Sequence, residues 1–554
     1  MSKKDKLFLI AVNVLLFVLM IYPIFLGGII GGYDPGFHMA RIHALATNLA
    51  SGHFPNPIGF EYLNGFGYGV GFFYGNFFLY PFAVLDLLGL SAYRAYILCL
   101  MTFVLANIIS INLVVHKLFH NAWATIISGP LYLGSFYFFQ VIYIRAAAGE
   151  LMAFAIIPWI LLGLFKLLQG ESKYWLVLGI SFSALLVTHI LSFLILLVTA
   201  AILVLLNFVT LVKNKTIWQS FLKAGILALG LSSFFLFSFI QQYIAQPYVS
   251  TAVDQYGNKL IILYSIWMKN HFFDATIFSS MNGPVLFWGL MVSLVYYLIK
   301  NHGLYFQNKI IMQSFIIVFL FGSLILSPNL LQVAVHHFKP MILLQSITRV
   351  NVVILPLSVF IIANCFGQLM TKLPKYHHQI ITGLMAGLIL LSIMVPIKQN
   401  LHDVEARKGP IADWSISLGE YEPKAFMKYN TDHNFQISPK SLEKSEGFKI
   451  TENNHHHAVV SISDNQGERV MMLPRIYYRG LQVKTFYNGK KIQNSAISKN
   501  GLAAVKLPAD FESGQVEIQY SSTVLARLGW LISLCTLVLL MVIVLRKISI
   551  PKVE

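Results

Sequence analysis

The stretch DPGFHMARI, at 34–42, puts a carboxylate, an imidazole and a guanidinium within a few residues of one another. Asp34-Pro35-Gly36 is a turn signal, and Asp34 is well placed to cap a following helix. On that helix His38 and Arg41 are three apart and share a face. A carboxylate there can accept a proton, and a guanidinium can hold a phosphate. A capped, solvated interfacial helix is the plainer alternative.

Three further segments carry isolated polar residues in apolar surroundings. In IRAAAGELMAFAIIPW, Arg145 and Glu150 bracket the start of an otherwise apolar helix. Glu150 suits the positive end of the helix dipole and can pair with Arg145, so a purely structural pair competes with a functional one. In LLVTHILSFL, His189 is either a satisfied packing residue or a site residue at a turn. In LLQSITRVNVV, Arg349 is expected inside an apolar span, about two turns from its end. From there it cannot snorkel easily and should face a polar cavity. Its planar fork suits phosphate.

The Gly- and aromatic-rich loop at 59–81 can stack on a sugar, shape an isoprenoid groove, or form an aromatic belt at the headgroups. Three consecutive histidines at 455–457 make a poor ligand set on a strand, because neighbours point to opposite faces. No phosphate-binding G-x-x-x-x-G-K-[ST], zincin H-E-x-x-H or hydrolase G-x-S-x-G occurs.

These residues need a scaffold, and composition says which. The chain has 554 residues, 56% hydrophobic and 11% charged, against about 25% charged in a soluble protein. Many apolar runs reach the length that crosses a hydrocarbon core. A polytopic α-helical membrane protein follows. The net charge of +17 resides mostly in short loops, as topology requires, and no basic stripe suggests nucleic acid. The three cysteines fall in apolar runs and show no disulfide or zinc spacing. The N-terminal apolar run reads as an uncleaved signal anchor.

The expected spans are 7–28, 95–116, 122–143, 150–168, 174–188, 190–212, 221–243, 284–299, 310–327, 342–364, 378–397 and 527–545, about twelve in all. The apolar region at 174–212 is too long for one helix and should fold back near Thr188-His189. The segment 77–92 is treated as interfacial or re-entrant, because counting it as a span destroys the Lys/Arg bias between loops. Both termini are then cytoplasmic. Asp34, His38, Arg41, Arg145, Glu150, His189, His336, His337, Arg349 and Glu420 then lie on or near the outer face.

Between 401 and 522 the chain turns polar, with short alternating runs and a hairpin signal at Asn488-Gly489. The expected organisation is a transmembrane domain at 1–400 with an interfacial first loop at 29–94. An extracytoplasmic β-rich domain at 401–522, read as a sandwich, follows. A final transmembrane helix and cytoplasmic tail occupy 523–554.

An outer-face acid directly after the first helix, an interfacial first loop and many spans ending in an outer β domain resemble the GT-C class of polyprenyl-phosphate-dependent glycosyltransferases. DPGFHMARI, RAAAGELMAFAIIPW, THILS, GEYEPKAF and YYRGLQVKTFYNGKKI resemble bacterial YfhO-like membrane proteins, including those labelled 6-pyruvoyl-tetrahydropterin synthase-related. Nothing in the chain offers that soluble enzyme's zinc histidines. The resemblance implies a cell-membrane enzyme of the envelope. Its donor is a polyprenyl-phosphate-linked sugar, its acceptor an extracytoplasmic glycan or lipid. On that reading Asp34 is the general base. Arg349, with Arg145 or Arg41, steadies the departing phosphate, and His38 and His189 orient donor or acceptor. Glu150 and Glu420 belong to the substrate-binding set. Many members of the class pair acids in the first loop. This chain has DPG, with Glu61 as its next acid, which leaves a divalent metal open. A flippase of lipid-linked glycans and a non-catalytic envelope scaffold are the competing readings. Against the flippase, no inverted repeat is evident.

Overall fold

The computed structural model describes residues 1–25, 34–249, 283–301, 308–338, 341, 344, 346–406, 419–455 and 457–549. The end of the first expected span, the first residues of the 29–94 loop, the start of the 342–364 span, residues 407–418 of the expected outer domain and the middle histidine of 455–457 lie outside the described residues.

The chain is mostly helical, with a small sheet domain towards its C-terminal end. Among the described residues seven helices are long and apolar enough to cross a membrane: Lys3–Phe25, Ala92–Phe119, Ala148–Leu168, Lys215–Ala245, Lys309–Leu326, Ile347–Lys372 and Val524–Arg546. It is a multi-pass membrane protein. The expected span at 122–143 is not one straight helix. Ala122–Leu133 and Phe136–Ile144 meet at 49°. Ala122–Leu133 ends at Gly134, whose N–H bonds to the Pro130 carbonyl at 2.9 Å, and Ser135 caps the next turn by accepting from the Phe138 N–H at 3.2 Å. The region at 174–212 breaks between Leu186 and Ile190, with His189 as the cap residue of the second helix. The helices Ser172–Leu186, Ile190–Leu206 and Pro284–Lys300 are shorter. Phe77–Leu87 is shorter still, at about 1.5 Å per residue far below the thickness of a hydrocarbon core.

The structure divides into two compact units. One comprises Met1–Gly36, Ile97–Ala228 and Val253–Asp413. Its centre is the Asn351–Lys372 helix, apolar all round for most of its length and buried there, as such helices must be. Side chains stitch its neighbours together. Asn107 Nδ2 donates to the Leu151 carbonyl at 3.0 Å, Ser110 Oγ to the Ala155 carbonyl at 2.7 Å, and Asn112 Nδ2 to Asn13 Oδ1 at 2.9 Å. In lipid, such bonds substitute for the missing hydrophobic drive between helices.

The other unit comprises Phe37–Tyr96, Leu229–Ala252 and Trp414–Glu554. Its strands are β1 (Lys449–Asn453), β2 (His457–Ile462), β3 (Arg469–Ile476), β4 (Leu481–Tyr487), β5 (Lys490–Ser495), β6 (Ile497–Lys499), β7 (Leu502–Leu507) and β8 (Gly514–Tyr520). They form two antiparallel sheets, ordered β1-β2-β8-β4-β5 and β3-β7-β6. Alternation sets which face is buried: Leu481, Val483, Thr485 and Tyr487 on β4 point inward, as do Ala458, Val460 and Ile462 on β2. Asn488-Gly489 closes the β4–β5 hairpin with φ of 49° and 69°, the left-handed pair that such a two-residue turn requires.

Candidate active site

Three helix starts in the first unit carry polar residues that belong to one electrostatic group. The first is the entry to Ala148–Leu168. The π-helical turn Gln140–Ile144 precedes it, Arg145 follows, and Ala146 turns the chain at φ 53°. Glu150 stands in the first helical turn and is wholly buried. The Arg145 Nη1 donates to Glu150 Oε2 at 2.6 Å, and the Tyr137 hydroxyl donates to Glu150 Oε1 at 2.5 Å. A carboxylate without solvent needs this satisfaction of both oxygens.

Asp34 joins the group from just ahead of the Pro35–Ala50 helix. Its backbone N–H donates to the Arg145 carbonyl at 2.8 Å, and its Oδ2 lies 3.7 Å from Arg145 Nη2. Arg145 is therefore shared by two carboxylates, one sealed and one with its side chain 37% exposed. Burial raises the Asp34 carboxyl above its ordinary value, against the opposing pull of Arg145 and Arg349; the like charge of Glu150 adds to the rise.

The second start is Ile190–Leu206. His189 caps it, with Nδ1 2.7 Å from Ser192 Oγ and 3.3 Å from the Ser192 N–H. The third is the turn Ile347–Val350 that leads into Asn351–Lys372. Arg349 sits in this turn. It is thus at the mouth of its helix rather than about two turns inside a span, because Ser346 caps the chain there and accepts from the Thr348 N–H at 3.4 Å. The charges of His189 and Arg349 act on Glu150, and Arg349 also acts on Asp34 and Tyr137. Among the described residues the Arg349 side chain has no ion pair. The group thus holds two carboxylates, Asp34 and Glu150, with Arg145 between them and His189 and Arg349 acting on them, and Asp34 is the more exposed of the two acids.

His38, Arg41 and Glu420 belong to the second unit. Arg41 is buried and its donors are engaged. Nε and Nη2 reach Asn76 Oδ1 at 3.1 and 2.6 Å, Nη2 reaches the Gly75 carbonyl at 2.7 Å, and Nη1 lies 3.2 Å from His38 Nδ1. The guanidinium also stacks over Tyr74, 4.1 Å from the ring centroid. These bonds tie the aromatic loop to the Pro35–Ala50 helix. His38 stacks on Tyr96 at 6.1 Å. Glu420 lies in the turn that follows 407–418. His336 and His337 are exposed at the end of Pro328–His337. Asp86, in the short helix of the first loop, bonds His43 at 2.9 Å.

Tyr137 and Ser192 were not singled out by sequence. Tyr137 stands thirteen residues before its partner in a run of aromatics, and nothing in that run marks it as polar-paired. Among the described residues no group of three His, Cys, Asp or Glu is arranged to hold a metal ion. Arg145 supplies the positive charge between Asp34 and Glu150.

The chain is similar to glycosyltransferases of known structure, though distantly. A variant of the arabinofuranosyltransferase AftD from Mycobacteria superposes with a TM-score of 0.42 at 13% identity, over 78% of this chain and 30% of that one. The archaeal oligosaccharyltransferase AglB from Archaeoglobus fulgidus, solved with an inhibitory peptide and a dolichol-phosphate, gives 0.40 at 12%, over 82% and 61%. ArnT from Cupriavidus metallidurans, bound to undecaprenyl phosphate, gives 0.31 at 10%, over 66% and 77%. In sequence, an uncharacterized protein of Lactococcus lactis subsp. cremoris (strain MG1363) is 27% identical over 164 residues, which take in 25% of this chain and 26% of that protein. The chain thus spans about a quarter of the length of the curated relative it matches. No family model matches. None of these likenesses is close enough to carry an activity across.

Proposed function

We propose that the chain is a membrane glycosyltransferase that moves a sugar from a polyprenyl-phosphate carrier to an acceptor outside the cell, a wall polymer, glycolipid or glycan. The observation that carries the reading is the pairing of an open carboxylate, Asp34, with an arginine free of ion pairs among the described residues, Arg349, in one electrostatic group.

The chemistry follows from charge. The acceptor hydroxyl attacks the anomeric carbon and passes its proton to Asp34. As the new C–O bond forms, the bond from the anomeric carbon to the phosphate oxygen breaks, and its electron pair leaves with the polyprenyl phosphate. Direct displacement inverts the anomeric centre. Arg349 faces the charge that grows on that phosphate. Arg145 is held by Glu150 and sets the direction of the Asp34 carboxylate. A raised carboxyl makes Asp34 a stronger base than an ordinary aspartate. His189 orients donor or acceptor beside the group.

An apolar cavity is consistent with a lipid-linked donor. The second unit holds a predominantly apolar cavity of about 590 Å³, lined by Phe54, Phe77, Tyr80, Phe234 and Trp530 among others. It opens among residues of two membrane-crossing helices, Lys215–Ala245 and Val524–Arg546. The expected orientation places both termini in the cytoplasm and the sheet domain outside.

The test is a reconstituted transfer assay with a radiolabelled polyprenyl-phosphate sugar supplied on the outer face. Asp34→Asn should abolish transfer while the protein still folds and inserts. Turnover at the wild-type rate removes Asp34 from the role of base. Movement of donor across the bilayer with no transfer would replace the enzyme with a flippase.

A further inference from the structure

The cavity of about 590 Å³ is walled by rings from three distant segments. Phe54 and Phe77 come from the first loop, Phe234 from Lys215–Ala245 and Trp530 from Val524–Arg546. The Phe54 and Trp530 ring centroids are 5.5 Å apart, those of Phe234 and Trp530 4.8 Å, and those of Phe77 and Phe234 5.9 Å. Phe54 and Phe77 are still 55% and 50% exposed. Rings exposed beside two membrane-crossing helices meet lipid in a bilayer. The volume lies well within the range for ligand pockets and has room for a fatty chain.

Which lipid suits the cavity depends on its polar groups. Among the described residues no charged side chain lines it. Asn56 is fully engaged: Nδ2 donates to Asn48 Oδ1 at 3.2 Å, and Oδ1 accepts from the Ile58 N–H at 3.1 Å. Ser522 pairs with the Tyr520 hydroxyl. Tyr80 and Ser238 also line the space, and their hydroxyls can donate or accept, so they discriminate little.

Asn76 differs. Its Oδ1 already accepts from Arg41 Nε at 3.1 Å and from Arg41 Nη2 at 2.6 Å. Those two bonds fix the amide with Nδ2 turned away from the guanidinium. Nδ2 has no acceptor among the described residues. Gly71 lines the cavity beside it, and a methyl group there would come within 3.0 Å of Nδ2. The glycine leaves the amide uncovered. An oriented group that can only donate thus stands at an uncharged, apolar space.

A matching occupant brings an acceptor without charge. A bare isoprenoid or fatty chain brings none, and leaves the amide facing hydrocarbon. A lipid phosphate brings acceptors together with a charge that no cation in the lining offsets. A carboxylic ester at the head of a fatty chain brings a carbonyl oxygen, no charge, and no donor that needs a partner of its own.

We propose that this cavity binds one ester-linked acyl chain of a glycerolipid, with Asn76 Nδ2 donating to the ester carbonyl and the aromatic wall covering the chain. The transfer reading stands on the Asp34 group and does not depend on which lipid fills this space.

The test uses the full chain in nanodiscs of diether lipid, doped with phosphatidylethanolamine that carries a photoreactive diazirine in one chain. The probe is made in diester and diether forms, and crosslinks are mapped by mass spectrometry. The diester should label peptides that contain Phe54, Phe77, Phe234 or Trp530. The diether lacks the carbonyl and should label them about three- to tenfold less, the worth of one hydrogen bond. Asn76→Asp keeps an acceptor for Arg41 and removes the donor. It should bring diester labelling down to the diether level and leave diether labelling as it was; a merely structural Asn76 would shift both probes alike. The comparison of the two probes on the wild type needs no variant. Equal labelling by both overturns the proposal and leaves a groove indifferent to lipid type. Labelling by neither overturns it in favour of a water-filled cavity. Displacement of the diester by an equimolar amount of polyprenyl phosphate overturns it in favour of the donor.

Discussion

Replacing Glu150 by glutamine tests the cluster at its sealed end. The wild-type carboxylate is wholly buried and accepts from Arg145 at 2.6 Å and Tyr137 at 2.5 Å. Breaking a buried ion pair by removing one partner costs about 3–5 kcal/mol. Three features trim that figure. The Arg145 side chain is 25% exposed, and it keeps Asp34 at 3.7 Å as a second partner. Glutamine also preserves an acceptor for the Tyr137 hydroxyl. The expected loss is about 2–3 kcal/mol, a fall of roughly 30- to 150-fold in the folding constant. In a chain of this size that lowers the unfolding midpoint by about 2–3 °C, from the entropy of unfolding per residue. A second readout concerns the base. Glu150 repels negative charge on Asp34 and holds Arg145 away from full pairing with it. Without Glu150 the Asp34 carboxyl should fall in pKa. The acid limb of the transfer rate then moves to lower pH, and the plateau rate drops about 10- to 100-fold as the carboxylate turns towards Arg145. The assays are thermal unfolding in detergent and a pH series of the reconstituted transfer. An unchanged midpoint together with an unchanged acid limb refutes the view that Glu150 anchors this site.

Other outcomes follow from the same geometry. Transfer by the wild type should rise with pH through a value above the ordinary aspartate pKa of about 3.9, since the base must be ionised and burial raises it; an acid limb at or below that value contradicts the assignment. The folded state holds the Asp34 proton more tightly than the unfolded state, so this group lowers stability as pH climbs from the ordinary value through the raised one. Asp34→Asn should remove that slope, seen as unfolding midpoints measured across the window. Arg349→Lys keeps the charge but loses the fork, and should cut transfer by about 10-fold or more with an unchanged unfolding midpoint; wild-type kinetics would show that no phosphate binds there. Tyr137→Phe strips one hydrogen bond from a buried carboxylate and should cost about 1.5–3 kcal/mol of stability; a midpoint equal to wild type would show that the bond contributes nothing.

Composition and periodicity alone make this a multi-pass helical chain with a polar, alternating segment near its end, because lipid demands long apolar helices and a pleated sheet demands period two. Short-range signals also sufficed for the helix break before His189 and the Asn488-Gly489 hairpin. The polar residues of the site were visible as exceptions in apolar sequence. Their partners were not. The bend at Gly134 and the π-helical turn that aims Arg145 depend on packing around a glycine and a few local caps. Arg349 stands in the first turn of Ile347–Lys372 rather than about two turns inside it, with Ser346 capping that turn. Tyr137 meets Glu150 across thirteen residues, beyond that bend, and Arg41, one of two alternatives for the phosphate in the sequence reading, bonds Asn76, Gly75 and His38. Residue type fixes what a side chain can donate or accept. Which groups stand within 3 Å of it depends on contacts between distant segments, and no local pattern encodes those.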